Sequence, residues 1–497
     1  MARSTDEATS KHAPLGLWDV VSIMIGIVVG VGIYETPPLI LRNVTGPWQA
    51  MAMWAVCGGL SLIGAFCYAE LASTYPRSGG DYVYLTRAFG PWLGFLFAWF
   101  QLAAIRAANI AMMGFVFADY ALQLGSVAEE HRLSWAACAA AAAVAGLTLL
   151  NLLGILFGKG AQNVLTLAKV IGLGGVLVAG FAWPQPLASV EVPAASGPTS
   201  LAVAMVLVLL TYGGWNDAAF VAAEVRGGPR SIARALILGT AAITLIYLLL
   251  NAAFLWGLGF EQARQSHAIA ADLLARPLGD WGKRIMSVLV MISALGAING
   301  MLFSGSRVYA SLGVDHPVFA WLGRSHARTP WVALLIQAAV SLAMIGVVGT
   351  PAGRAGVNDL LNRAGLGAVQ WEGHGGFEVL TVFTTPLFWS FFLLTGLSLF
   401  VLRQRDPDVP RPFTVPLYPE LPLTFCAICA YMIYAGLSYA QQRFDLLGGL
   451  FVVSAVVAIT GLLLYRLSRR MVHLKGVRGQ ESEVGKEAAG PSLSPDP

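Results

Sequence analysis

The groups in this 497-residue chain whose spacing suggests chemistry are peptide groups rather than side chains. Residues 25–34 read IGIVVGVGIY, with glycine at 26, 30 and 32. Residues 209–218 read LLTYGGWNDA, with Gly213 and Gly214 adjacent. A helix interrupted at glycines exposes amide N–H groups on one side of the gap and carbonyl oxygens on the other. The first end attracts a carboxylate and the second a cation. In the first segment the amides of Val31, Gly32 and Ile33, beside Gly30, would take a carboxylate. The carbonyl near Val28, with those of Leu210 and Gly213 flanking Thr211, would take an ammonium. Two such gaps facing each other can hold a zwitterion by its charged ends with no charged side chain.

Catalytic constellations are missing. The chain has no HExxH and no GxSxG, and its seven histidines are scattered, mostly in loops. GILFGKG (154–160) lacks the spacing and the Ser/Thr of a phosphate loop. Cys57, Cys67, Cys138, Cys426 and Cys429 all fall in apolar runs, and the CxxC at 426–429 has no further ligands beside it. These read as buried small residues. No enzyme activity, metal or cofactor is expected. A carrier and a non-transporting sensor would share the binding features above, so both stay open.

Positioning these segments falls to membrane helices. The composition is 57% hydrophobic and 12% charged, about half the usual charge of a soluble domain. Twelve runs are long enough to cross a bilayer: about 17–40, 48–71, 91–122, 134–156, 161–183, 199–223, 235–258, 283–306, 330–349, 377–402, 421–440 and 445–466. They are numbered here as spans 1 to 12. The first reads as a retained span and not as a signal peptide. Lysine and arginine divide as 20 on the face holding both termini and 9 on the other, with Arg106 and Lys169 inside spans. The positive-inside rule makes that basic-rich face cytoplasmic. The charge therefore reports orientation in a lipid bilayer rather than a nucleic-acid partner. The tail from 470 to 497 is expected to be disordered. Glycine-interrupted segments in spans 1 and 6, five spans apart, are the pattern of a transporter's midplane site, although glycine pairs also serve close packing.

Several stretches carry a resemblance. GVGIY (30–34), AELASTYPRSGGDYVYLTRAFGP (69–91), TYGGWN (211–216) followed by Glu224 and GGPRSIARA (227–235), SALGAINGMLFSGSR (293–307) and RPFTVPLYP (411–419) resemble the amino acid–polyamine–organocation (APC) superfamily. Within it, the L-type amino acid transporter branch is most similar, over residues 15 to 465. The resemblance implies an all-α membrane fold of leucine-transporter type. Residues 15–183 form one five-helix repeat, 199–402 its inverted partner, and 421–466 two further helices, with cytoplasmic segments at 1–14 and 470–497. It implies alternating-access movement of small amino acids at the cell membrane.

Residue by residue, the resemblance places Lys169 where sodium sits in ion-coupled relatives, its ammonium meeting the Gly26 carbonyl and a hydroxyl of Ser293. Sodium-independent transport, by exchange or proton coupling, would follow. The plainer alternative is a snorkelling lysine. Glu70, Arg77, Arg87, Glu224, Arg230 and Arg307 cluster at cytoplasmic ends and are candidates for an inner-gate network of ion pairs, against ordinary solvated charge. Arg106 suits structural pairing more than substrate contact; Asp217 could face the pathway or pair locally. Leu210 stands where relatives often carry an aromatic lid, and Val31 adds no hydroxyl. Neutral L-amino acids are the expected substrates, with a cationic amino acid or polyamine carrier as the alternative. The 123–133 loop has no cysteine, so no disulfide-linked heavy subunit is expected.

Overall fold

The computed structural model describes residues 14–125, 129–184, 200–266, 268–326, 329–363, 365, 376–444 and 447–488. Among them are eleven helices long and apolar enough to cross a membrane, or twelve when a bent pair counts as one. That pair is span 1, divided into α1 (Leu17–Val28) and α2 (Gly32–Arg42) at an angle of 52°. Span 2 (Pro47–Thr74) leads through a short helix, α3 (Asp81–Phe89), into span 3. Span 3 runs Pro91–Phe100, a π turn at Gln101–Ile105, then Arg106–Gln123. Span 6 starts as α4 (Leu201–Thr211) and resumes as a 3₁₀ segment, Trp215–Glu224.

Helix starts follow local chemistry. Proline opens the helices at Pro47, Pro91 and Pro229, each after a glycine, because the first turn needs no amide donor there. Spans 4 and 5 differ from the expected 134–156 and 161–183: they meet sharply, as Glu129–Leu152 and Ile155–Ala182. Gly154 makes the corner at φ 130, a conformation that side-chain-bearing residues avoid.

Spans 3 and 8 (Asp280–Asp315) are the centre, each with 72% of its most apolar window buried, and the last span is peripheral at 11%. Spans 4 and 5 present Leu149, Leu156, Phe157, Val164, Leu167 and Ile171 outward, the ridge that lipid would cover. Small residues let helices approach. A Cβ on Gly180 in span 5 would lie 2.6 Å from Ala253 Cβ in span 7 (Pro229–Leu258). The last helix runs Leu447–Ala488, so the expected tail is helical well past 470. Its LSRRMVHLKG stretch is rich in good helix formers, and residues 489–497 lie outside the described residues. Beyond span 9, Pro351–Arg363 is helical, and most of GLGAVQWEGHGG lies outside them.

Candidate functional site

Both expected gaps are present and they face each other. α1 makes its last bond from Val29 N to Ile25 O, and Val29 then leaves the helix at ψ 85. α2 begins with the Tyr34 and Glu35 amides both donating to Val31 O, at 3.0 and 3.1 Å. The amides of Val31, Gly32 and Ile33 form the open first turn, with no intrahelical acceptor. In span 6, α4 closes with Tyr212 N on Val208 O, Gly213 N turns back to Leu210 O, and Gly214 sits at φ 110. A Cβ on Gly32 would come 3.0 Å from Thr211 Cγ2, and one on Gly214 2.8 Å from Ile27 Cγ2. Thr36 and Thr211 hydroxyls lie 3.0 Å apart across the gap.

Tyr247, from span 7, was missed by the sequence reading. Its hydroxyl lies 2.7 Å from Val28 O and 3.1 Å from Thr211 O, spanning both gaps. Trp54 and Tyr212 hold its ring at 5.4 and 5.0 Å. Two of the carbonyls expected to meet an ammonium already accept a hydrogen bond: Tyr247 engages that of Val28 and Gly213 N that of Leu210. Each keeps a second lone pair. A phenol within a largely apolar span was the available signal.

Lys169 is wholly buried, so it does not snorkel. Its ammonium donates to Gly26 O at 2.9 Å. Its second acceptor, at 3.4 Å, is the backbone carbonyl of Ser293 and not the expected hydroxyl. That hydroxyl turns instead toward Tyr34 Oη, 3.5 Å away. A Cβ on Gly26 would sit 1.8 Å from Gln162 Nε2, so a larger residue here would have to displace that side-chain amide.

Arg106 and Asp217 pair with each other. The contact is bidentate and buried, with Arg106 Nη2 at 2.9 Å from Asp217 Oδ1 and Nη1 on Oδ2. Ser304 donates to the same carboxylate at 2.8 Å, and the guanidinium lies over Phe220. The π turn directly before Arg106 rotates the rest of span 3 relative to a plain α-helix.

The basic-rich face is closed by ion pairs, but the six candidates do not form one network. Glu224 and Arg307 pair at 3.0 Å. Glu70, wholly buried, binds Arg403 through two bonds of 2.8 and 2.5 Å, Arg411 at 3.2 Å and Val415 N at 2.7 Å. Arg77 takes Asp315 and Arg87 takes Asp406, each at 2.6 Å. Arg230 is exposed and has no ion pair among the described residues. Arg403, Arg411, Asp315 and Asp406 escaped the sequence reading because each sits far along the chain from its partner. Leu15 also bridges to Val225, with bonds of 3.1 and 2.7 Å. On the opposite face a cavity of about 780 Å³ reaches down to Tyr34, lined by Glu35, Asp119, Tyr120, Arg132 and Lys283. Tyr120 donates to Glu35 at 3.0 Å.

Comparison with known proteins agrees with this architecture. The family described as Amino acid permease matches residues 15–463. The b(0,+)-type amino acid transporter 1 of Homo sapiens is 27% identical over 478 residues, covering 94% of this chain and 90% of the relative. The Cystine/glutamate transporter of Homo sapiens is 28% identical, covering 90% and 83%. The Large neutral amino acids transporter small subunit 2 of Mus musculus is 28% identical, covering 83% and 75%. The words "small subunit" imply a larger partner for that mouse protein. The expectation that this chain lacks a disulfide-linked one thus has no support from the comparison. With facing breaks in spans 1 and 6 and a family match along nearly its whole length, the chain belongs to the amino acid permeases of the APC superfamily: a multi-pass membrane protein of leucine-transporter type that transports amino acids and is not an enzyme.

Proposed function

We propose that this chain is a sodium-independent carrier of neutral L-amino acids in the cell membrane, with cytoplasmic termini, working by alternating access as an exchanger or with protons. The observation that carries the reading is the open first turn of α2 standing against Thr211 of the second gap. The substrate carboxylate meets the amides of Val31, Gly32 and Ile33, beside Gly30. The ammonium meets the remaining lone pairs of Val28, Leu210 and Gly213 around Thr211. Lys169, on Gly26 O, supplies the positive charge at the gap that a sodium ion would otherwise bring. The buried Arg106–Asp217 pair neutralises the acid that follows the second gap, which favours neutral side chains.

Glu35 favours the second reading, a cationic amino acid or polyamine carrier, because its carboxylate lines the outer cavity beside Asp119. Arg132 and Lys283 in the same cavity oppose it. Counterflow into proteoliposomes decides between them. Neutral amino acids should compete with labelled leucine at least about tenfold better than lysine or arginine, and removal of the sodium gradient should leave uptake unchanged. Preference for basic substrates would establish the second reading, and a sodium requirement would remove Lys169 from its role. Binding without flux would indicate a sensor.

A further inference from the structure

The signature loop after span 2 carries a buried acid that the binding site does not use. Gly79 and Gly80, at φ 114 and 50, fold the chain against span 6, and Gly79 N donates to Phe220 O at 2.9 Å. A Cβ on Gly80 would lie 2.4 Å from the Phe220 ring. Asp81 follows as the first residue of α3 and is only 1% exposed. Three elements reach its carboxylate. Tyr68 of span 2 donates to Oδ1 at 2.5 Å, Thr395 of span 10 (Gly376–Arg405) donates to Oδ1 at 2.8 Å, and Asn216 Nδ2 of span 6 stands 3.5 Å from Oδ2.

The last contact is at the limit of a hydrogen bond, while the amide's other end, Asn216 Oδ1, is buried with no partner. An ionised carboxylate can only accept; a protonated one also donates. Turning the Asn216 amide over lets Oδ1 accept a proton carried on Asp81 Oδ2, with Nδ2 then taking the place that Oδ1 holds now. The site can therefore pair the Asp81 carboxyl in either protonation state.

We propose that Asp81 is a proton-binding site through which cytoplasmic acidity holds the inner gate closed. This rests on the transporter reading above. The elements Asp81 joins are those the gate ion pairs tie, and separating them would bring water to the carboxylate. The titratable and charged groups around it are Tyr68 from span 2, Tyr84 from its own helix, Asp217 from span 6 and Arg106 from span 3. Arg106 is committed to Asp217, and in span 10 Arg403 is committed to Glu70. Burial pushes the Asp81 carboxyl up to about 6, with Tyr68, Thr395 and Asn216 opposing and Asp217 adding to the rise. In the open gate, hydrated, it would return to the ordinary value of about 3.9. Protons thus bind the closed form more tightly. Closure is favoured as pH falls through 6, and lowering pH from 7 to 5 should raise the closed-to-open ratio about tenfold.

The test is leucine exchange in proteoliposomes, with lumen and bath clamped together between pH 7.5 and 5. The wild type should slow several-fold, up to about tenfold, with its midpoint near 6. Asp81→Asn, fixed in the neutral shape, should lose that step. Asn216→Leu, which removes one of the groups opposing the rise, should move the midpoint to higher pH. An Asp81→Asn variant with the wild-type profile overturns the proposal. If that variant does not fold, an unmoved midpoint in Asn216→Leu overturns it equally. Absence of exchange by the wild type at every pH defeats the transport reading instead.

Discussion

Replacing Asp217 with asparagine should destabilise the protein by about 3–5 kcal/mol, the cost of stranding a buried guanidinium. Arg106 and Asp217 are 5% and 2% exposed, and the pair crosses from span 3 to the second half of span 6. Ser304 completes the carboxylate's shell. With the acid gone, Arg106 has an amide and one hydroxyl where it had two charge-assisted bonds, and no route to water. Removing both charges together is different, since a well-packed apolar pair avoids the desolvation of either ion. Arg106→Met with Asp217→Leu should recover most of the loss. Thermal unfolding of purified protein, followed by size exclusion, checks both halves. A single variant that melts with the wild type would contradict the pairing, and a double variant as weak as the single would place the damage in packing.

Gly32→Val should reduce uptake by about 100-fold, the effect of misplacing bound groups by roughly an ångström, while membrane insertion persists. The backbone at Gly32 is ordinary helix, so the penalty comes from what faces it. Thr211 stands within 3.0 to 3.5 Å of any Cβ there. A branched side chain pushes the two gaps apart and covers the amides of the first turn. Its cost to folding is about 1–3 kcal/mol of overpacking. Gly30 is the control: a Cβ at that position meets nothing closer than 3.8 Å. Gly30→Ala should retain far more uptake than Gly32→Val at equal surface expression. Equal uptake by the two variants would mean that the approach of α2 to Thr211 carries no function.

Local chemistry made the spans and both gaps legible. Apolar runs report bilayer thickness directly, and glycines adjacent to Val31 and Tyr212 mark where a lipid-exposed helix could not afford to open. The Lys169–Gly26 contact was also readable, but through resemblance and not through spacing. Helix rotation was not readable. Asp217 sits 111 residues from Arg106, and Glu70 sits 333 from Arg403. Which face of each rod turns inward depends on packing between rods, such as the π turn before Arg106, and no local pattern encodes that. The same cause turned Ser293's hydroxyl away from Lys169 and brought Tyr247 across both gaps.

Binding of carboxylate-modified substrates to purified protein tests the grip of the two gaps most directly. Labelled leucine should be displaced by unlabelled leucine at least about 100-fold better than by its decarboxylated amine or its methyl ester, as expected when a charge-assisted contact worth about 3 kcal/mol is lost. Displacement by the amine at leucine's own concentration would contradict a carboxylate held on the open turn of α2.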